Sequence, residues 1–279
     1  MEILHHNQII RNPDYNSNER KNFIFQGKIL LFENCKFAKL LKDFAVSFLK
    51  ENLKTEDLQN FEHQVSKDEF YKILSTLKKT FSNLQTAKIF IKDILNELNF
   101  PIKNTYFDLL RLRNITSYMH LVEDAKPAFA IHRDTWYANP ETQINWWIPL
   151  FDVNAYDTFA FYPKYFTKAV KNNSHEFNYD IWNNTGGFQS SLENRTRIFP
   201  ELKEKIDFTD ELKISCHAGD LLVFSAAHLH GTRPNTTGQT RFSLDFRTVE
   251  IDDILGAPSV DNFSKGSIFK DMIPIKTIF

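Results

Sequence analysis

Ile131-His132-Arg133-Asp134 decides how this chain must fold, because it calls for a partner far downstream, in His228-Leu229-His230-Gly231-Thr232. In an extended strand the side chains at i and i+2 share a face, so His132 and Asp134 converge while Arg133 points away. A histidine and a carboxylate on one face are two ligands for one ion, and a third has to come from elsewhere. His230 reaches that point only if the chain winds back to the same sheet region. A jelly roll winds that way.

The surrounding sequence agrees with that winding. From about Asn114 onward, short β-branched or aromatic runs recur at Ile115–Val122, Ala128–His132, Thr142–Leu150, Phe159–Tyr162, Leu212–Cys216, Leu221–Phe224 and Arg241–Val249. Pro, Gly, Asn and Asp punctuate them. Upstream, residues 33–100 read as helices. Phe37, Leu40, Leu41, Phe44, Phe48 and Leu49 form one apolar stripe. Ser66-Lys67-Asp68-Glu69 has capping-box spacing, and a third helix is expected from about Thr86 to Leu98, ended by Pro101. The expected fold is mainly β with α, a double-stranded β-helix (jelly-roll or cupin-like) core flanked by N-terminal helices. We read one domain over 1–279, with the core at 105–250, an Asn- and Ser-rich insertion at 163–210, and a tail at 251–279 that folds back through Ile268, Phe269, Ile273, Ile275, Ile278 and Phe279.

Composition narrows the classes. The chain is 42% apolar and 25% charged with a formal charge of −1, an ordinary globular balance that makes no electrostatic case for nucleic acid or membrane partners. Cys35 and Cys216 make no disulfide framework, and no stretch approaches a membrane span, so a cytoplasmic location is the expectation. The 27 phenylalanines read as packing.

Two histidines and one carboxylate are the protein ligands of the facial triad that holds Fe(II) and leaves positions open. Arg241 opens the run Arg241-Phe242-Ser243-Leu244-Asp245-Phe246-Arg247, and alternation puts Arg241 and Ser243 on one face. An arginine fork with a hydroxyl beside it suits a carboxylate, as the far end of 2-oxoglutarate requires. Asn145, on the polar face of Thr142–Leu150 with Gln143 and Trp147, is a candidate contact to such a co-substrate. Tyr118 and His120 are candidates to reach the pocket from the first core strand.

The pattern His132-x-Asp134, Gly219-Asp220-Leu221-Leu222-Val223-Phe224, His230-Gly231-Thr232-x-x-Asn235 and Arg241 resembles the phytanoyl-CoA dioxygenase family of Fe(II)/2-oxoglutarate oxygenases over roughly 114–250. Asn145-Trp146-Trp147-Ile148-Pro149-Leu150 resembles its third core strand. The resemblance implies His132, Asp134 and His230 as iron ligands, Arg241 as the 2-oxoglutarate partner, and Thr232 near the co-substrate. It also implies an O2-consuming hydroxylation of a small molecule with release of succinate and CO2. Arg133 replaces a glutamine often found between the ligands. The intact Asp134 favours hydroxylation or desaturation over halogenation, which needs a small residue there.

His228 competes with His230 for the third position, since both would share a face; spacing to Gly231, Asn235 and Arg241 favours His230. In the insertion, Lys164, Lys168, Lys171, Arg195 and Arg197 beside Tyr162, Tyr165, Phe166 and Trp182 form either a solvated loop or a basic lid. His5, His6, His63, His175 and His217 lack partners at ligand spacing. Two other classes stay open: a cupin-like metalloenzyme without 2-oxoglutarate, and a non-enzymatic β-sandwich binding module.

Overall fold

The computed structural model describes residues 8–185, 199–252, 256 and 260–278. Asn16 caps α1 (Ser17–Phe25), and the Glu19 carboxylate returns the bond to its backbone N–H. Ser66 caps the start of α3 (Lys67–Asn83) through the Glu69 N–H, at the spacing read from the sequence. Between them runs α2 (Lys36–Leu53), and α4 (Gln85–Glu97) follows directly. Their apolar stripes bury Leu41, Leu49, Leu74, Phe81 and Ile91 against one face of a large sheet. Each such side chain contributes roughly 1.5–3 kcal/mol by leaving water.

The chain then winds between two sheets. The strands are β1 (Ile9–Arg11), β2 (Ile29–Phe32), β3 (Thr105–Phe107), β4 (Arg111–Ile115), β5 (Ile144–Pro149), β6 (Phe159–Phe161), β7 (Leu212–Lys213), β8 (Leu221–Ser225), β9 (His230–Thr232), β10 (Arg241–Glu250) and β11 (Ile273–Pro274). The large sheet runs β1-β2-β8-β5-β10-β3-β11, with β4 also on β10, and the small one runs β7-β6-β9. In order, β4 lies in the large sheet, His132 bridges to β9 of the small one, and β5 returns to the large. β6 and β7 lie in the small sheet, β8 in the large, β9 in the small and β10 in the large. This alternation is the double-stranded β-helix. Along β5, Trp146 and Ile148 face the helices, while Trp147 joins Phe159, Phe161 and Phe224 between the sheets.

Several expected strands differ. The run expected at Ile115–Val122 ends at Ile115: Tyr118 takes φ 58° and Met119–Leu121 forms a 3-10 turn. Tyr118 and His120 therefore share no strand face. Of Ala128–His132 only His132 pairs, because Glu123–Phe129 is a 3-10 segment containing Pro127, which has no N–H to give a ladder. Strand β2 escapes sequence reading because Ile29-Leu30-Leu31-Phe32 is buried on both faces and shows no alternation.

The insertion carries α5 (Tyr179–Asn184). Tyr162, Tyr165 and Phe166 are buried, and Lys164 pairs with Asp207 at 2.6 Å at the surface. Arg195, Arg197, His5, His6 and Phe279 lie outside the described residues. In the tail, Ile275 and Ile278 enter the main core, while Ile273 is exposed. No helix among the described residues is long and apolar enough to cross a membrane.

Candidate metal centre

At one end of the space between the sheets, His132 and His230 lie opposite each other, exchanging two backbone hydrogen bonds of 2.9 Å. Their rings stand 4.6 Å apart, centre to centre. His132 Nδ1 donates to the Ala130 carbonyl at 2.8 Å and His230 Nδ1 to the His228 carbonyl at 3.0 Å. A carbonyl only accepts, so each Nδ1 carries a proton, and Nε2 is the atom each ring has to offer a metal. Arg133 is extended at φ −108°, ψ 142°, so alternation survives to Asp134 although that residue opens a 3-10 turn, Asp134–Tyr137. Ligand atoms of His132, Asp134 and His230 all fall within 4.8 Å of one another.

The carboxylate is held from two sides. Asn145 on β5 donates to Asp134 Oδ2 at 2.6 Å, and Asp134 Oδ1 faces His132 Nε2 at 3.5 Å and Arg247 Nη2 at 3.9 Å. Burial acts to raise the Asp134 carboxyl, but Arg247 and the two histidines outweigh it and hold it well below the usual range. Burial, aided by the neighbouring His132, lowers His230 to about 4, so the ring is neutral at physiological pH. An ionised carboxylate and neutral imidazoles are the protonation states a divalent metal needs. The donor set fits such an ion.

These residues open onto a cavity of about 800 Å³ that Thr232, Arg241 and Ser243 also line. Arg241 is 7% exposed; its Nη1 donates to the Asp157 carbonyl at 2.9 Å and its Nε has no partner among the described residues. Burial lowers this guanidinium to about 10. An orphaned buried cationic donor facing a cavity fits a carboxylate ligand. Asn145 also lines the cavity, yet both ends of its amide are already engaged, by Asp134 and by Gln143 Nε2 at 2.9 Å.

Other candidates lie elsewhere. The backbone turns at His228, whose N–H bonds the Ser225 carbonyl, so strand alternation does not extend back from β9 and the shared face with His230 is lost. The His228 ring is 1% exposed, packed on Phe161 and Phe166, and burial lowers it to about 3. It does not line the cavity; neither do Tyr118 and His120. Arg133 is a structural clamp: it pairs with Asp261 at 3.0 Å and donates to the carbonyls of Ala227, Tyr165 and Lys168.

Sequence reading missed Arg247, Arg111 and Arg113, which line the same cavity. Arg247 has the parity of Arg241 and Ser243 along β10, a signal available from the start. The lysines expected of a basic lid do not line the cavity; Trp182 does, with Tyr137, Phe177 and Tyr179.

The profile of the phytanoyl-CoA dioxygenase (PhyH) family matches residues 33–243, which extends the likeness across the helical block and the insertion. No curated protein matches the chain. Among solved structures, the apo non-heme monooxygenase ThoJ is 13% identical, with a TM-score of 0.46 over 83% of this chain and 83% of that one. EvdO2 from Micromonospora carbonacea var. aurantiaca, complexed with 2-oxoglutarate, is 13% identical with a TM-score of 0.38, and the match covers 60% of this chain and 62% of EvdO2. The non-heme alpha-ketoglutarate-dependent epimerase SnoN from nogalamycin biosynthesis is 17% identical, with a TM-score of 0.36 over 63% of this chain and 60% of that one. With the matched segment spanning His132, Asp134, His230 and Arg241, the chain belongs to the phytanoyl-CoA dioxygenase family, whose enzymes use Fe(II) and 2-oxoglutarate on small molecules.

Proposed function

We propose that this enzyme hydroxylates a small molecule bound in the cavity beside His132, Asp134 and His230, with 2-oxoglutarate as co-substrate. The observation that carries the reading is one cavity lined by three converging ligands and by Arg241, whose Nε is buried and unpartnered. Iron with 2-oxoglutarate and O2 supplies the oxidising power for C–H oxygenation and releases succinate and CO2.

The chain's own residues orient and exclude. His132, Asp134 and His230 would hold the metal, their geometry preset by the Ala130 and His228 carbonyls and by Asn145. Arg241 would pair with the far carboxylate of 2-oxoglutarate, with the buried Ser243 and Thr232 lining the same space. Trp147, Phe159 and Phe224 close the site from between the sheets and keep water out.

Adding Fe(II) and then 2-oxoglutarate to the protein without oxygen tests this. The expected result is a visible metal-to-ligand charge-transfer band, absent in His230→Ala and needing more 2-oxoglutarate in Arg241→Gln. Metal binding without the band would mean a cupin-like enzyme that does not use 2-oxoglutarate. Neither metal nor band would mean a binding module.

A further inference from the structure

We infer that the substrate is an organic anion, and that Arg247 is the residue that anchors its carboxylate or phosphate. The inference rests on the proposed Fe(II)/2-oxoglutarate reading. It begins from the face of β10 that carries Arg241, Ser243, Asp245 and Arg247, all four of which line the cavity. At about 3.4 Å per residue, Arg241 and Arg247 leave the strand about 20 Å apart.

The two guanidiniums occupy different charge surroundings. Arg241 lies by Asp157, whereas Arg247 stands 3.9 Å from Asp134 Oδ1 and 3.6 Å from Asp108 Oδ2. A five-carbon diacid held at the metal and reaching for Arg241 therefore leads away from Arg247. That leaves Arg247 on the substrate's side of the metal.

Its neighbours are committed elsewhere. Asp245 holds Arg113 through both of its oxygens. Asp108 accepts from Arg111 Nη1 at 2.6 Å and from the Arg247 backbone N–H at 2.9 Å. Asp134 gives Oδ2 to Asn145, and a metal would take the charge of Oδ1. Neither of Arg247's two ion pairs comes within hydrogen-bond distance, although its side chain is only 16% exposed. Loading the metal thus turns Arg247 from a partner of Asp134 into a fork of donors facing the cavity, a geometry that suits a bidentate anion.

The same cavity is walled by Tyr137, Phe177, Tyr179 and Trp182, with the Tyr137 and Phe177 rings 5.4 Å apart and the Phe177 and Trp182 rings 6.0 Å apart. Rings so placed favour a flat apolar body behind the anionic group.

The test uses the oxygen-free Fe(II)/2-oxoglutarate complex, titrated with phenylacetate, phenyl phosphate and the neutral phenylacetamide, and reads the shift of the charge-transfer band. We expect at least one anion to bind about tenfold or more tighter than the amide, the scale of one lost charge-assisted bond. Comparing phenylacetate with phenyl phosphate separates a carboxylate substrate from a phosphate one. In Arg247→Gln, loaded with enough Fe(II) and 2-oxoglutarate to give the band, the anion preference disappears; Arg247→Lys restores part of it. Equal binding of anion and amide, or no shift with any probe, overturns the inference. So does loss of 2-oxoglutarate affinity in Arg247→Gln, which would place Arg247 on the co-substrate. Failure of the wild-type protein to form the band at all would instead count against the underlying reading.

Discussion

Asn145 donates its side-chain amide to Asp134 Oδ2 at 2.6 Å, so strand β5 fixes a carboxylate carried by a turn. The other end of the amide accepts from Gln143, which is itself fully buried. Removing such a support typically costs a metal site 10–100-fold in affinity. Asn145→Ala is therefore expected to weaken Fe(II) binding by about that factor, measured by metal titration under anaerobic conditions. Unchanged metal affinity together with weaker 2-oxoglutarate binding would return Asn145 to the co-substrate contact expected from the sequence.

His228 and His230 separate into different experiments. His230→Ala removes a member of the converging set, so metal content after desalting should fall close to zero while the fold persists. His228→Ala leaves a hole beside Phe161 and Phe166, and a large-to-small change at a site like this costs about 2–5 kcal/mol. Its denaturant midpoint should drop and its metal content should hold. The opposite pattern would exchange the two assignments.

The parts of this site that can be read in the sequence are those set by local parity. His132 and Asp134 are two residues apart on extended backbone, and Arg241 and Ser243 share a face of β10 by the same rule. That rule also contains Arg247, six positions along the same face from Arg241. Parity fails at His228, where the Ser225 turn breaks the strand, and at Tyr118, where a left-handed residue does. The aromatic wall of Phe177, Tyr179 and Trp182 is carried by the short helix α5 and the residues just before it, too few to show a periodicity. Its placement depends on tertiary partners such as Asp271, which accepts the Tyr179 hydroxyl at 2.6 Å, and no periodicity announces those.

Arg133, between the two ligands, is 1% exposed and tied to Asp261 and three carbonyls. Glutamine there would leave the Asp261 carboxylate buried without its cation, although Trp136 Nε1 still donates to it at 2.8 Å. Breaking a buried pair in this way costs about 3–5 kcal/mol. Arg133→Gln should lower unfolding stability by that amount, as chemical denaturation would read. A loss below about 1 kcal/mol would mean the clamp is dispensable.

Asp245 gives the fold an acid-sensitive tie. Burial acts to raise its carboxyl, but Arg113, bonded to both oxygens, overrides this and holds it below the usual range. The native state thus binds fewer protons than the unfolded chain. Its stabilisation is complete above the unfolded value of about 4 and is lost as pH falls through the native one. Asp245→Asn should be less stable at pH 7 yet lose stability less steeply on acidification below about pH 4, measured as denaturant midpoints across the range. Parallel slopes for the two proteins would remove Asp245 from the account.

Gly231 separates His230 from Thr232 where β9 runs against the His132 segment. A Cβ added there would meet Ile131 Cγ1 at 3.0 Å and the Ile131 Cα at 3.3 Å. The isoleucine tip can shift, but its backbone is tied to the ladder that sets the spacing of His132 and His230. Gly231→Ala is therefore expected to push the two histidine-bearing segments apart by a few tenths of an ångström, costing about 1–3 kcal/mol of stability as overpacking does. Metal affinity should fall with it, because ligand geometry tolerates little displacement. Cutting Ile131 back to alanine in the same chain removes Cγ1 and should recover part of the metal affinity. If Gly231→Ala lowered stability while leaving metal affinity untouched, the spacing of His132 and His230 would not depend on this close approach.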